Sequence, residues 1–370
     1  MKFSHLFYLF LLTLLIGGCT HKGIVTAFEE EQEEQKVKIA MILPDKLIGR
    51  YAHTTSTAVF AYFLTREHPF ELKTFQISDE SPKEITRVLS EIKEQEFEYV
   101  IAPVTPKGAR VIVEQEDDLT IFFPTIHKND LAGTTENIYF GAIDYRAQIE
   151  KLMPLASSPL VVMYDKSTQG KKLLTLTKES YFEQDRHFLP TDRKKSALED
   201  KTPYDPALEP EKRRVIAYGL DKKTSNLKQH LQKNEKIQFG SFFLNTPVIK
   251  STMILSQLSV YDTDVTNVLS TQINYDPLIL TMTQKKDREE LYIANSVSIQ
   301  NDRLIQTNAL LNNDIVYDWI NYASTVGADY FYAVITGEER IYDLPVIDNQ
   351  IVYPVAIMQP SVSHFKTLIE

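Results

Sequence analysis

The sequence predicts an α/β chain of two successive lobes, each built on a mainly parallel sheet. Three observations carry this. Short, near-continuously apolar runs recur along the chain, as strands covered on both faces require. Amphipathic helical stretches separate them, giving a β-α-β-α order. The same alternation begins again after Ser157-Ser158-Pro159, and 370 residues suit about two domains at roughly 150 residues each.

In the first series the apolar runs are Val37 to Leu43 (VKIAMIL), Tyr99 to Val104 (YVIAPV), Thr120 to Phe123 (TIFF) and Ile138 to Ile143 (IYFGAI). Helices are expected between them at Thr54 to Leu64, Pro82 to Lys93, Lys107 to Gln115 and Ala147 to Leu155. In the second of these, Ile85, Val88, Leu89 and Ile92 fall at i, i+3, i+4 and i+7, a stripe one helix face wide.

The second series has strands at Leu160 to Tyr164, Val215 to Leu220, Ile237 to Asn245, Val268 to Gln272 and Leu291 to Val297. Its helices are expected at Lys171 to Phe182, Thr224 to Lys233 and Val248 to Val260. Residues 184 to 214, with Pro190, Pro203, Pro206, Pro210 and dense mixed charge, read as a long surface excursion. A long helix is expected over Asn313 to Ala333, and two short strands, near Pro345 and over Val352 to Met358, flank the turn signal Asp348-Asn349.

Composition narrows the function classes. Forty basic and fifty acidic residues give a net charge of -10, so nucleic acid would be repelled rather than steered. With 43% hydrophobic and 24% charged residues the chain has the makings of a real core, and global disorder is excluded. The single cysteine rules out an intramolecular disulfide and any multi-cysteine metal site. The glycines form no GxGxxG, GxxxxGK[ST] or GxSxG pattern, so the usual phosphate cradles and nucleophile elbow are missing. The eight histidines lie too far apart for paired metal spacing on one helix. No catalytic residue, metal site or cofactor is assigned.

The N-terminus reads as an address. Met1-Lys2 precedes an eleven-residue, mainly apolar stretch from Leu6 to Ile16, about 16 Å long as a helix and too short for roughly 30 Å of hydrocarbon. Leu15-Ile16-Gly17-Gly18-Cys19 resembles the bacterial lipobox, which implies cleavage before Cys19 and a diacylglycerol on its thiol. Thr20 is not the aspartate that commonly signals inner-membrane retention, so the outer membrane is expected in a Gram-negative cell. Glu29, Glu30, Glu31, Glu33 and Glu34 follow, and residues 19–35 read as a self-repelling tether.

From Val37 onward the sequence resembles the type I periplasmic binding protein fold, two Rossmann-like lobes joined by hinge crossovers with a ligand cleft between them. KIAMILP (Lys38 to Pro44) resembles its opening strand and VIAPVTPKG (Val100 to Gly108) its third strand and cleft loop. FFPTI (Phe122 to Ile126), YFGAIDYRAQI (Tyr139 to Ile149) and VVMYDKSTQGKKL (Val161 to Leu173) follow in the family's order. The stretch SFFLNTPVIKSTMILSQL, then VLSTQ and LYIANSV, is similar to the second lobe of the penicillin-binding-protein activator lipoproteins. The expected division is 1–18 signal peptide, 19–35 tether, 36–156 plus 300–340 for one lobe, and 157–299 plus 341–370 for the other.

The resemblance implies cleft-facing positions at Asp45, Gly49, Thr54, Thr105, Thr125 and His127 in the first lobe, with Asn245, Ser270, Thr271 and Asn295 in the second. Plain roles are open to several: Thr54 could cap a helix, Thr105 and Thr125 could be turn residues beside proline, and Asn295 could satisfy a strand end. The first loop, Pro44-Asp45-Lys46-Leu47-Ile48-Gly49-Arg50-Tyr51, is bulkier and more charged than the Gly/Ser/Thr-rich loop with which amino-acid receptors of this fold hold a carboxylate. Two functions follow. One is a lipid-anchored, non-catalytic envelope protein that engages a protein partner such as a cell-wall synthase. The other is a solute receptor that delivers an amino acid, peptide or similar small molecule to an ABC importer.

Overall fold

The structure, a computed structural model, describes residues 36–116, 118–131, 133, 136–187, 214–224, 226–298 and 301–369. The expected signal peptide, Cys19, the tether and nearly all of the 184–214 excursion lie outside the described residues. Among the described residues no helix is long and apolar enough to cross a membrane.

The first lobe begins with β1 (Val37–Leu43), a short helix α1 (Asp45–Ile48) and α2 (Arg50–Leu64). Then come β2 (Phe70–Gln76), α3 (Pro82–Glu94), β3 (Tyr99–Ile101), α4 (Pro106–Gln115), β4 (Thr120–Phe123) and β5 (Ile138–Phe140). Helix α5 (Tyr145–Leu152) leads into β6 (Leu160–Asp165), α6 (Thr168–His187), β7 (Val215–Leu220) and α7 (Leu227–Leu231). The second lobe continues with β8 (Gly240–Asn245), α8 (Val248–Val260), β9 (Val265–Ser270), α9 (Leu278–Met282) and β10 (Leu291–Asn295). The chain closes with α10 (Asp302–Leu310), α11 (Trp319–Thr336), β11 (Val346–Ile347), β12 (Gln350–Ile351), β13 (Ala356–Pro360) and β14 (Phe365–Ile369).

These strands make two seven-stranded sheets, ordered β11-β12-β5-β4-β3-β1-β2 and β14-β13-β10-β9-β8-β6-β7. Pairing is parallel from β2 to β5 in one and from β7 to β10 in the other. In each sheet the chain reverses its direction of winding beside the first strand, between β1 and β3 and between β6 and β8. The expected α/β architecture of two mainly parallel sheets is the one observed.

Local chemistry explains the elements. Strand β1 is buried on both faces, with Val37, Ile39, Met41 and Leu43 packed to one side and Ala40 and Ile42 to the other. Helix α3 starts where the Ser81 hydroxyl accepts the Glu84 amide at 3.4 Å, with proline at its first position. It buries Ile85, Val88, Leu89 and Ile92, each worth about 1.5–3 kcal/mol of transfer free energy.

Several boundaries differ from the sequence reading. Strand β2 was not anticipated, because as an edge strand (FELKTFQ) it buries only Phe75 and lacks an apolar run. Helix α2 starts at Arg50, four residues before Thr54, which removes the capping role open to that threonine. The Asn313–Ala333 helix is displaced to α11, because the Asp318 carboxylate accepts the Ile320 and Asn321 amides and so sets its start. Helix α10 occupies a stretch the reading left unassigned, and β8 starts only at Gly240.

The last assignment, 341–370 to the second lobe, is corrected in part. Asp348 and Asn349, with φ of 49° and 64°, form a tight turn between β11 and β12, and this hairpin joins the first sheet at β5. The Gln350 side chain fastens it by donating to the carbonyls of Phe140 (3.2 Å) and Ala142 (3.3 Å). Only β13 and β14 join the second sheet. The chain therefore crosses between sheets three times, after β5, after β10 and after β12.

Candidate functional site

In an open parallel sheet the carboxyl ends of the strands present loop amides and helix N-termini, and ligands collect where the strand order reverses. Here both such rims face each other. Lys172 of α6 reaches Asp130 of the first lobe at 2.8 Å. Gln148 of the crossover helix α5 bonds to Gln272 and Ser296 at the rim of the second sheet. Of the ten positions expected from the sequence, Asn245, Ser270 and Asn295 end strands β8, β9 and β10, Thr54 lies one turn inside α2, and the other six sit in loops or helix starts beyond the carboxyl ends of strands.

The first-lobe rim is filled by a residue the sequence reading missed. Glu80, 2% exposed, comes from the loop after β2 and sets its carboxylate on the N-terminus of α4. Oε1 accepts the Thr105 amide at 2.8 Å and Oε2 accepts the Gly108 amide at 3.1 Å, while the Thr105 hydroxyl donates to the same carboxylate. These are the orphan donors and the partial positive charge that a helix start offers to an anion. The fit depends on glycine, because a Cβ at Gly108 would stand 2.4 Å from Glu80 Cδ.

The other first-lobe candidates are mostly committed to the fold. Thr125 donates its hydroxyl to the Val104 carbonyl (2.8 Å), tying together the loops after β3 and β4. His127 caps the turn at 128–130, its Nδ1 accepting the Asn129 amide at 3.2 Å, and its Nε2 lies 3.9 Å from Asp144. Asp45 accepts the Lys46 amide at 2.8 Å. Gly49 takes φ of +56° at the junction of α1 and α2, where a side chain would be strained. Thr54 sits one turn into α2 with its carbonyl accepting Asn313 at 3.1 Å, and its buried hydroxyl has no hydrogen-bond partner among the described residues. Arg50, also missed, lies over the Tyr51 ring at 5.0 Å. Its ionised form is favoured first by Tyr51 and then by Asp318 and, from the second lobe, Asp276.

The second-lobe rim carries its own ion pair. Lys250, at the start of α8, bonds directly to Asp165 at the end of β6. Burial raises the Asp165 pKa, but the hydrogen bonds from Lys250 and Ser167 outweigh it and bring it down to about 2. Beside this pair, Asn245 donates to Thr177 (3.0 Å) and Ser270 donates to the Leu244 carbonyl (2.8 Å). Asn295 closes a loop with both backbone groups of Val297. Gln148 and Gln272, also missed, exchange hydrogen bonds of 3.0 Å. Among the described residues four polar atoms here are buried without a partner: Asn245 Oδ1, Thr271 Oγ1, Gln272 Nε2 and Asn274 Oδ1. Among the described residues no three His, Cys, Asp or Glu side chains are grouped to hold a metal ion.

Sequence patterns explain what was missed. Glu80 sits in Ser78-Asp79-Glu80-Ser81-Pro82, a stretch that reads simply as the start of α3. Asp165 and Lys250 are 85 residues apart, and only the β6–β8 pairing brings them together.

No family model matches the chain, and no curated protein matches it in sequence. Among solved structures, LpoA of Haemophilus influenzae superposes over 93% of this chain with a TM-score of 0.56 at 8% identity. The chain spans 60% of the length of that protein. The separate LpoA C-domain, described as a regulator of PBP1A, is covered completely by 90% of this chain, with a TM-score of 0.56 and 9% identity. A putative branched-chain amino acid ABC transporter protein of Rhodospirillum rubrum is also covered completely, with a TM-score of 0.60 and 9% identity. These likenesses establish the fold, the two-lobed α/β architecture of type I periplasmic binding proteins.

Proposed function

We propose that this chain is a lipid-anchored, non-catalytic envelope protein that uses the binding-protein fold to engage a protein partner in regulating peptidoglycan synthesis. The observation that carries this reading is Glu80. The helix start that would hold a ligand carboxylate is already bound by the chain's own carboxylate, on the Thr105 and Gly108 amides. A free amino acid would have to displace a buried, charge-assisted set of hydrogen bonds, each worth about 1.5–3 kcal/mol. The Asp165–Lys250 pair opposes entry at the other rim in the same way. The likeness to the LpoA C-domain, a PBP1A regulator by its description, supports a partner of the cell-wall synthase type. The lipobox-like run before Cys19 supports the anchor.

The receptor reading has one observation in its favour, the four unpartnered polar atoms at the second-lobe rim, which suit a small neutral polar ligand. Cross-linking of intact envelopes separates the two. Recovery of a cell-wall synthase with the anchored protein is expected, and recovery of importer subunits alone would refute the partner reading. Labelled palmitate should be incorporated into the wild type and lost in Cys19→Ala.

A further inference from the structure

The two outer strands of parallel pairing are built differently. Strand β2, at one edge of the first sheet, carries Glu71 and Lys73 on the strand itself, the usual guard against unwanted pairing. Strand β7, at the edge of the second sheet, reads Val-Ile-Ala-Tyr-Gly-Leu without a single charge. Five of its six residues are only half buried.

The outward backbone groups of β7 can be assigned. The Leu160 amide donates to the Arg214 carbonyl, so in the β6–β7 register Ile216 and Tyr218 face β6. Val215, Ala217 and Gly219 then point their N–H and C=O groups away from the sheet. The Gly219 carbonyl accepts Asn226 at 3.1 Å. Among the described residues, no other group occupies the outward backbone of Val215 or Ala217.

Cations frame this edge. Between residues 214 and 236 there are six basic side chains, Arg214, Lys222, Lys223, Lys228, Lys233 and Lys236, against Asp221 and Glu235. The whole chain, by contrast, is at -10. All six are exposed, and among the described residues none forms an ion pair. They belong to one surface. Arg214 donates to the Lys236 carbonyl (3.0 Å) at the start of β7, and Lys222 and Lys223 follow its end. Helix α7, which carries Lys228, is fixed over β7 by His230 stacked on Tyr218 at 4.4 Å. Lys233 follows that helix, and its neighbour Asn234 bonds to the Tyr218 hydroxyl at 2.9 Å.

We propose that β7 is a docking edge for an extended acidic segment of a partner protein, which adds to the second sheet as an eighth strand. The unoccupied amides and carbonyls of Val215 and Ala217 need another backbone, and the cationic frame selects glutamate- or aspartate-rich sequence and repels basic chains. A bilayer surface would meet the lysines but leave the edge amides unpaired, so a peptide is the better occupant. The inference extends the partner reading but does not depend on a filled cleft, so either can fail alone.

The test uses the full chain, held in mild detergent, and a fluorescent peptide of about ten residues alternating valine and glutamate. Saturable binding is expected, weakened about tenfold in Lys222→Glu/Lys223→Glu/Lys228→Glu, where three exposed charge contacts are reversed. Because those side chains are exposed, the variant should keep the wild-type melting point. Amide exchange at Ala217 and Gly219 should slow about tenfold with peptide bound while Tyr218, already paired to β6, is unchanged. No binding at about 1 mM peptide would overturn the proposal. So would binding without protection of Ala217 and Gly219, tighter binding to vesicles of anionic phospholipid, or equal binding of the valine-lysine peptide.

Discussion

Glu80 and Gly108 act as one unit, and the two together make a sharp prediction. Glu80→Ala strands the buried donors of Thr105 and Gly108 and should cost about 1–3 kcal/mol in urea unfolding. Gly108→Ala should gain up to about 1 kcal/mol of helix propensity, but it drives a methyl to 2.4 Å from Glu80 Cδ. In the wild-type background it should therefore be destabilising, by about 1–3 kcal/mol. In the Glu80→Ala background the clash is gone and the same substitution should be neutral or stabilising, a reversal of sign that a double-mutant cycle reads directly. Asp165 gives a pH signature. Its folded pKa lies near 2 against an ordinary 3.8, so its contribution is present above about pH 4 and is lost as the pH falls towards 2. Melting points taken from pH 5 to pH 2 should fall more steeply in the wild type than in Lys250→Met, and parallel curves would show that the pair contributes nothing.

The elements legible in the sequence were those whose burial leaves a pattern. Strands β1, β4 and β6 are covered on both faces, so an apolar run marks each of them. Helix α3 was readable because its stripe, serine cap and proline agree. Strand β2 was not, since an edge strand needs only one buried residue, Phe75. The α11 start was misplaced because apolar residues precede it; the cap decides, and Asp318 holds the Ile320 and Asn321 amides at 3.2 and 3.4 Å. Asp318→Ala should cost about 1 kcal/mol and fray the first turn, measured as lost amide protection at Ile320 and Asn321 with the rest of the helix unchanged. The places of Thr105, after β3, and Ser270, at the end of β9, on the carboxyl rims were legible from the strand runs that lead to them. What occupies them was not, because Glu80 reaches α4 only through the packing of α3 beside it.

At the scale of the molecule, two similarly wound sheets turn their carboxyl ends toward each other and each satisfies much of its own rim. The first does so with Glu80 on α4, the second with Asp165–Lys250 and the Gln148–Gln272 exchange. The exposed bridge between the lobes, Lys172 to Asp130, is of a kind worth at most about 1 kcal/mol. Three chain crossings join the lobes, and the last of them, after β12, follows a hairpin too short for the sequence to assign to the correct sheet. The most direct test compares the melting points of wild type and Glu80→Ala in acetate and in pools of free amino acids. A ligand at a hundred times its dissociation constant would add about 2.7 kcal/mol. A self-filled rim predicts a flat response in the wild type and a saturable, acetate-dependent rise in Glu80→Ala. Saturable stabilisation of the wild type by an amino acid would contradict it.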